Sequence, residues 1–174
     1  SPAMCAMTSM SLDQLSGGRF IVGLGASGPQ VVEGWHGVPY GKPVTRTKEY
    51  IQIMRKIMAR EGPVEFDGEV YKLPLKGEGT TGLGKPLKSI LEGNPDIPIY
   101  TASITPAGLR CAAEVADGVF PVWMDPNKYS VLGEHLDKGF AKAGGGKSLA
   151  NFDVAPFVMV MMNDDLDAAY NALR

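Results

Sequence analysis

Apolar residues recur every three or four positions in some stretches of the chain and run together in others. Tyr50, Ile53, Met54 and Ile57 fall at i, i+3, i+4 and i+7, which predicts an amphipathic helix with Lys48, Glu49, Gln52, Arg55 and Lys56 on its wet side. The same spacing joins Leu109, Ala112, Ala113 and Ala116, then Tyr129, Leu132, Leu136 and Phe140, then Leu166, Ala169, Tyr170 and Leu173. Near the start, Met4, Met7, Ser11 and Leu15 share one helical face between a Ser1-Pro2 start signal and a Gly17-Gly18 stop. Short continuous apolar runs at 20–24, 97–102, 119–123 and 154–162 read as buried strands. Thr105-Pro106 and Asp125-Pro126 each pair a capping side chain with a first-turn proline, and Asn163 or Asp164 is expected to cap the last helix. Polarity alternates on either side of Asp67-Gly68, which predicts a hairpin over 64–73 with a two-residue turn. Residues 25–43 read as a loop rich in Gly and Pro, and 74–96 as a long Gly-rich loop, either a functional flap or disordered.

The resulting order is α-β-α-hairpin-β-α-β-α-β-α in one domain, 1–174. Strands that alternate with helices form a parallel sheet, because each crossover returns the chain to the same edge. The fold class is therefore α/β, and ligands are expected at the carboxyl ends of the strands. A closed (β/α)8 barrel has eight strands in about 250 residues, whereas four core strands are recognisable here. Either the chain is a piece of a larger barrel, or it buries an open face against a partner.

Composition narrows the function classes. With 174 residues and 44% hydrophobic side chains, the chain can bury a full core. A net charge of −2 argues against nucleic acid as a partner. No apolar run approaches the length of a membrane span, and no secretory signal opens the chain, which points to a cytoplasmic protein. Two cysteines, Cys5 and Cys111, and two histidines, His36 and His135, give neither a disulfide framework nor a metal site.

Two segments carry candidate chemistry. Gly23-Leu24-Gly25-Ala26-Ser27-Gly28 spells G-x-G-x-x-G after a strand, but Pro29 and Gly34 hold the chain in a loop, and the acid at the ribose-binding spacing is Glu49, in a helix. The stretch reads as a glycine-rich turn, a barrel-type cofactor loop, or, least in keeping with its surroundings, a NAD(P) fingerprint. Thr101 to Pro106 joins a strand end to a helix start, where free N–H groups and the positive end of the helix dipole favour a phosphate; Ser103 and Thr105 add hydroxyls, though Thr105 also serves as a plain cap. Trp35, His36, Trp123 and Met124 sit at loop and strand ends, where they can wall a flat ring or simply pack. His135 reads as a solvated helix residue, and Asp164, Asp165 and Asp167 as helix-start charges.

The stretch Leu12-Asp13-Gln14-Leu15-Ser16-Gly17-Gly18-Arg19-Phe20-Ile21-Val22-Gly23-Leu24-Gly25 resembles the luciferase-like monooxygenase superfamily at the helix leading into the fourth barrel strand. Residues 27–37, the helix from Tyr50 to Arg60 with the Phe66-Asp67-Gly68 hairpin, Ile97-Pro98-Ile99-Tyr100, and Ala113-Glu114-Val115-Ala116-Asp117-Gly118 are similar to its branch that uses the deazaflavin coenzyme F420. The resemblance implies a partial (β/α)8 TIM barrel: strands 4–7 of the family as four parallel core strands, with a β-hairpin insertion. It implies F420, with FMN as the alternative, a small-molecule substrate, hydride transfer or monooxygenation, and commonly a homodimer. Carried over by position, it places Ser27 and Gln30 near the cofactor, Ser103, Ile104 and Thr105 at its phosphate, and Val122 and Trp123 beside its ring. It names no catalytic acid or base here, because the family's first three strands and its eighth are absent. Many relatives also carry glycine where this chain has Thr105. A non-catalytic flavin-binding half-barrel that dimerises is the other expectation.

Overall fold

A computed structural model of the chain describes residues 1–122 and 124–172. Helix α1 (Pro2–Ser16) starts where the Ser1 hydroxyl accepts the Met4 N–H, and ends at Gly17, whose φ of 66° few residues but glycine adopt readily. Its buried face is not the expected one. Ala6, Ser9, Met10 and Asp13 are buried, whereas Met4 and Leu15 are 66% and 84% exposed. Apolar residues are spread around this helix, so spacing alone does not select the side that packs.

Strand β1 (Val22–Leu24) is shorter than the apolar run that announces it. The stretch expected as loop holds a short helix, α2 (Pro29–Gly34), with Pro29 at its start. Helix α3 (Pro43–Ala59) buries Ile53, Met54 and Ile57 as the spacing predicts. Glu49, placed by the sequence on the wet side, is buried instead. Its carboxylate accepts the N–H groups of Glu69, Val70 and Tyr71 at 2.7, 2.9 and 2.8 Å. Those amides belong to the hairpin of β2 (Phe66–Asp67) and β3 (Lys72–Leu73), where Phe66 pairs with Leu73 and Asp67 with Lys72. The turn therefore spans four residues, not two, and Glu49 supplies the acceptors that its open amides need.

Beyond the hairpin, the long segment to residue 96 carries only one isolated bridge, Val64 with Leu87. Its later part is strapped down at Ser89 and Glu92. The Arg60 guanidinium donates to the Ser89 carbonyl at 2.9 Å and to Glu92 at 2.8 Å, and the Gln14 amide donates to the Glu92 carbonyl.

Next come β4 (Ile99–Ala102), α4 (Pro106–Val115), β5 (Gly118–Phe120), a 3-10 turn (Pro126–Lys128), α5 (Ser130–Ala143), a second 3-10 turn (Leu149–Asn151), β6 (Asp153–Val154) and α6 (Leu166–Ala172). Strand β5 ends at Phe120, short of the expected 119–123, and Trp123 lies outside the described residues. Strand β6 has two residues where the run 154–162 suggested nine. Ala155 and Phe157 still donate backbone N–H groups to Val119 and Pro121. Among the described residues, however, no strand lies on the far side, and Val158, Val160 and Met162 point into water. The last helix is capped by Asp165, whose carboxylate accepts the Asp167 and Ala168 N–H groups, and not by Asn163 or Asp164; Leu173 of its expected face is outside the described residues.

The four core strands form one parallel sheet in the order β1-β4-β5-β6. On one face, Val22, Ile99 and the buried apolar side chains of α1 and α3, among them Met10, Ile53 and Met54, make one cluster, while Val119 with α4 and α5 makes a second. Arg55 ties α3 to the sheet: it donates to the Ile97 carbonyl at 2.8 Å and pairs with Asp117, which also accepts the Ile99 N–H at 2.8 Å. Tyr100 points to the opposite face, as strand alternation requires. Its ring packs on Phe120 at 5.3 Å between centroids, and its hydroxyl crosses β5 to donate to Asp153. It crosses at Gly118, where a Cβ would lie 2.8 Å from the ring.

Candidate functional site

At the carboxyl ends of β1 and β4 the chain opens into a cleft of about 360 Å³. Three pieces wall it: residues 24–27 after β1, the start of α3 with Tyr40 before it, and residues 101–108 leading into α4. The walls arise from local rules already described. Ile99 and Thr101 face the helix layer, so Thr101 is buried at the cleft floor, while Ala102 is an exposed part of the lining. Thr105 caps α4 through Gly108 N–H at 3.1 Å, with Pro106 in the first turn. Accepting that bond leaves the Thr105 hydroxyl proton free to be donated. Thr101 and Ser103 hydroxyls lie 3.4 Å apart.

Six lining residues carry hydroxyls: Ser27, Tyr40, Thr47, Thr101, Ser103 and Thr105. None of the described residues lining the cleft is charged. Cys111 completes the floor, and burial pushes its thiol up to about 11, so it is an uncharged wall at neutral pH. The cleft thus offers hydroxyl donors and the positive end of a ten-residue helix, without a fixed cation or anion among its described lining residues.

Four of the residues singled out in the sequence, Ser27, Ser103, Ile104 and Thr105, line this one cleft. Gln30 does not; it is exposed on α2, with its amide oxygen close to Gly28. Val122 is exposed past the end of β5 and is not in the lining, and Trp123 lies outside the described residues. Trp35 is 85% exposed and His36 is exposed beside it, so neither walls the cleft. His135 is not a freely solvated residue: it is half-buried, with Nδ1 shut away from water. Among the described residues no cluster of metal-ligating side chains occurs. Tyr40, Thr47 and Cys111 were missed. Nothing in their spacing marks them, because they reach the cleft only once α3 and α4 pack side by side. The G-x-G-x-x-G stretch leads into a turn and a six-residue helix, and Glu49 is spent on the hairpin, so the dinucleotide reading lacks its ribose-binding acid.

A family model, Luciferase-like monooxygenase, matches residues 1–174. The chain belongs to this family. It is 47% identical over its full length to "Putative coenzyme F420-dependent oxidoreductase Rv3520c" of Mycobacterium tuberculosis strain H37Rv, covering 50% of that protein. It is 34% identical, again over its full length, to the 5,10-methylenetetrahydromethanopterin reductase of Archaeoglobus fulgidus, covering 48% of it. The structure of the coenzyme F420-dependent tetrahydromethanopterin reductase from Methanopyrus kandleri superimposes with a TM-score of 0.74 at 27% identity, over 98% of this chain and 50% of that one. An F420-dependent secondary alcohol dehydrogenase shares the fold with a TM-score of 0.80 at 22% identity, over 99% of this chain and 49% of its own. The chain thus spans about half the length of the relatives it matches, and its four-stranded parallel sheet with a hairpin corresponds to half of a luciferase-like TIM barrel. No helix among the described residues is long and apolar enough to cross a membrane.

Proposed function

We propose that the full-length protein is an F420-dependent oxidoreductase that moves a hydride between the deazaflavin and a small organic substrate. The observation that carries this reading is the gathering of Ser27, Ser103, Ile104 and Thr105 in one cleft at the strand ends, beside the start of α4. Those residues fit a phosphorylated cofactor: hydroxyl donors and a helix N-terminus bind a phosphate group, and the apolar Leu24, Val44 and Ile104 flank it. At the phosphate, the absence of charge among the described lining residues suits the phosphodiester of F420 better than the phosphomonoester of FMN. F420 carries a phosphodiester with a single negative charge, while a phosphomonoester such as that of FMN approaches two near neutral pH. A helix terminus contributes about half an elementary charge, which suits the former better. In this arrangement Ser103 and Thr105 donate to the phosphate, Ser27 closes the opposite wall, and the buried Thr101 fixes Ser103. When bound, the deazaflavin supplies the hydride chemistry; the chain's part is to hold and orient it.

The test is titration of the full-length protein with F420, FMN and NADP in turn, followed by cofactor fluorescence and by thermal stability. F420 should bind more tightly than FMN and raise the melting temperature. Failure to bind either of the first two, or stabilisation by NADP alone, overturns the reading.

A second reading is a non-catalytic half-barrel that holds flavin and pairs with a second copy. The exposed apolar segment Phe157 to Met162 favours it. A dimer that binds cofactor yet never oxidises or reduces it with any alcohol, aldehyde or pterin substrate would support that reading over the first.

A further inference from the structure

Resting on the cofactor reading above, we infer that Tyr40 is a positioning residue for the cleft: its hydroxyl holds Ser27 in a left-handed backbone conformation, and so sets the affinity for the ligand. Ser27 has φ of 58°, one of only two positive values at non-glycine positions among the described residues. An L-residue held there is strained, and such strain persists only where surrounding contacts over-determine it. The Tyr40 hydroxyl donates to the Ser27 carbonyl at 3.1 Å, across 13 positions of sequence. Both residues line the cleft.

Tyr40 is itself held from two further directions. Its backbone N–H donates to Glu33 Oε1 on α2 at 3.1 Å. The Arg46 guanidinium lies over its ring, 5.9 Å from the centroid, and donates to the Pro39 carbonyl at 3.2 Å. The phenol is thus presented to Ser27 by α2 on one side and α3 on the other. Any ligand that touches Ser27 meets a backbone already set in place, and a wall ordered before binding costs no ordering during it.

The test compares Tyr40→Phe in two backgrounds, wild type and Ser27→Gly, in the full-length protein. Phenylalanine keeps the ring under Arg46, so the fold is retained. Loss of one hydrogen bond should weaken F420 binding about fivefold in the wild-type background. Glycine adopts a positive φ without strain, so with Gly at 27 the same substitution should change affinity by less than about twofold. A general structural role would weaken both backgrounds equally. Equal losses, or no loss in either, overturn the inference. Hydrogen exchange of the ligand-free protein gives an independent readout: the amides of 26–28 should exchange faster in Tyr40→Phe, and unchanged exchange also overturns it. Absence of F420 binding by the wild type would instead defeat the cofactor reading, and the exchange result then decides the role of Tyr40 alone.

Discussion

At residue 118 a single methyl group separates a fitting sheet from a strained one. The Tyr100 ring lies across Gly118 to reach Asp153, and a Cβ there would sit 2.8 Å from it. Gly118→Ala should cost about 1–3 kcal/mol, as overpacking of a closed site does. Urea unfolding measures it, and Tyr100→Leu in the same chain should recover part of the loss. The Tyr100 phenol is pushed up to about 12, first by burial and then by its bond to Asp153, so this tie stays intact through neutral pH. Glu114 gives a pH dependence of the opposite kind. Burial pushes its carboxyl up, but the ammonium groups of Lys48 and Lys142 outweigh that and hold it below its ordinary 4.5. A folded-state value below the unfolded one means stability gained above pH 4.5 and lost as pH falls through the folded value. Glu114→Gln should therefore be less stable than wild type at pH 7, with the difference closing in acid, as read by denaturation at several pH values. The sequence announced single residues only where partners are neighbours. Thr105 was legible as a cap because its target amide is three residues away; Glu49, whose targets lie 20 to 22 residues on, read as a surface charge.

At the level of elements, the hairpin depends on α3 as much as on its own strands. Two residue pairs are too few to hold β2 against β3, and the Glu49 carboxylate supplies the remaining order by collecting three turn amides. Glu49→Gln keeps the shape but weakens charge-assisted acceptors, and should cost about 1.5–3 kcal/mol. The amides of Glu69, Val70 and Tyr71 should then exchange with solvent well before those of α3. Helices α3, α4 and α5 were readable because their apolar positions keep one period and one side. Helix α1 was not, since its side is chosen by what it packs on. The strand boundaries were overestimated for a related reason: apolar runs at 119–123 and 154–162 record a taste for burial, but a strand exists only as far as a neighbour accompanies it.

For the whole molecule, the parallel sheet was foreseeable from the alternation of strand and helix, and its agreement with half of a luciferase-like barrel follows from the family. The described sheet has two bare edges, at β1 and β6, and an apolar ribbon at Phe157 to Met162. The 174-residue chain by itself should therefore self-associate, and sedimentation velocity should show a species larger than the monomer; a monodisperse monomer at high concentration would contradict this. The cleft lies at the carboxyl end of the β1 edge, flanked by two helices that the chain supplies itself, and the uncharged lining of its described residues has a kinetic corollary. Dipoles and hydroxyl protons grip at contact distance and fade within a turn of helix. Such a mouth exerts no pull on a distant anion, so the encounter rate with cofactor should be nearly indifferent to ionic strength, and discrimination among cofactors should reside in how slowly the right one leaves.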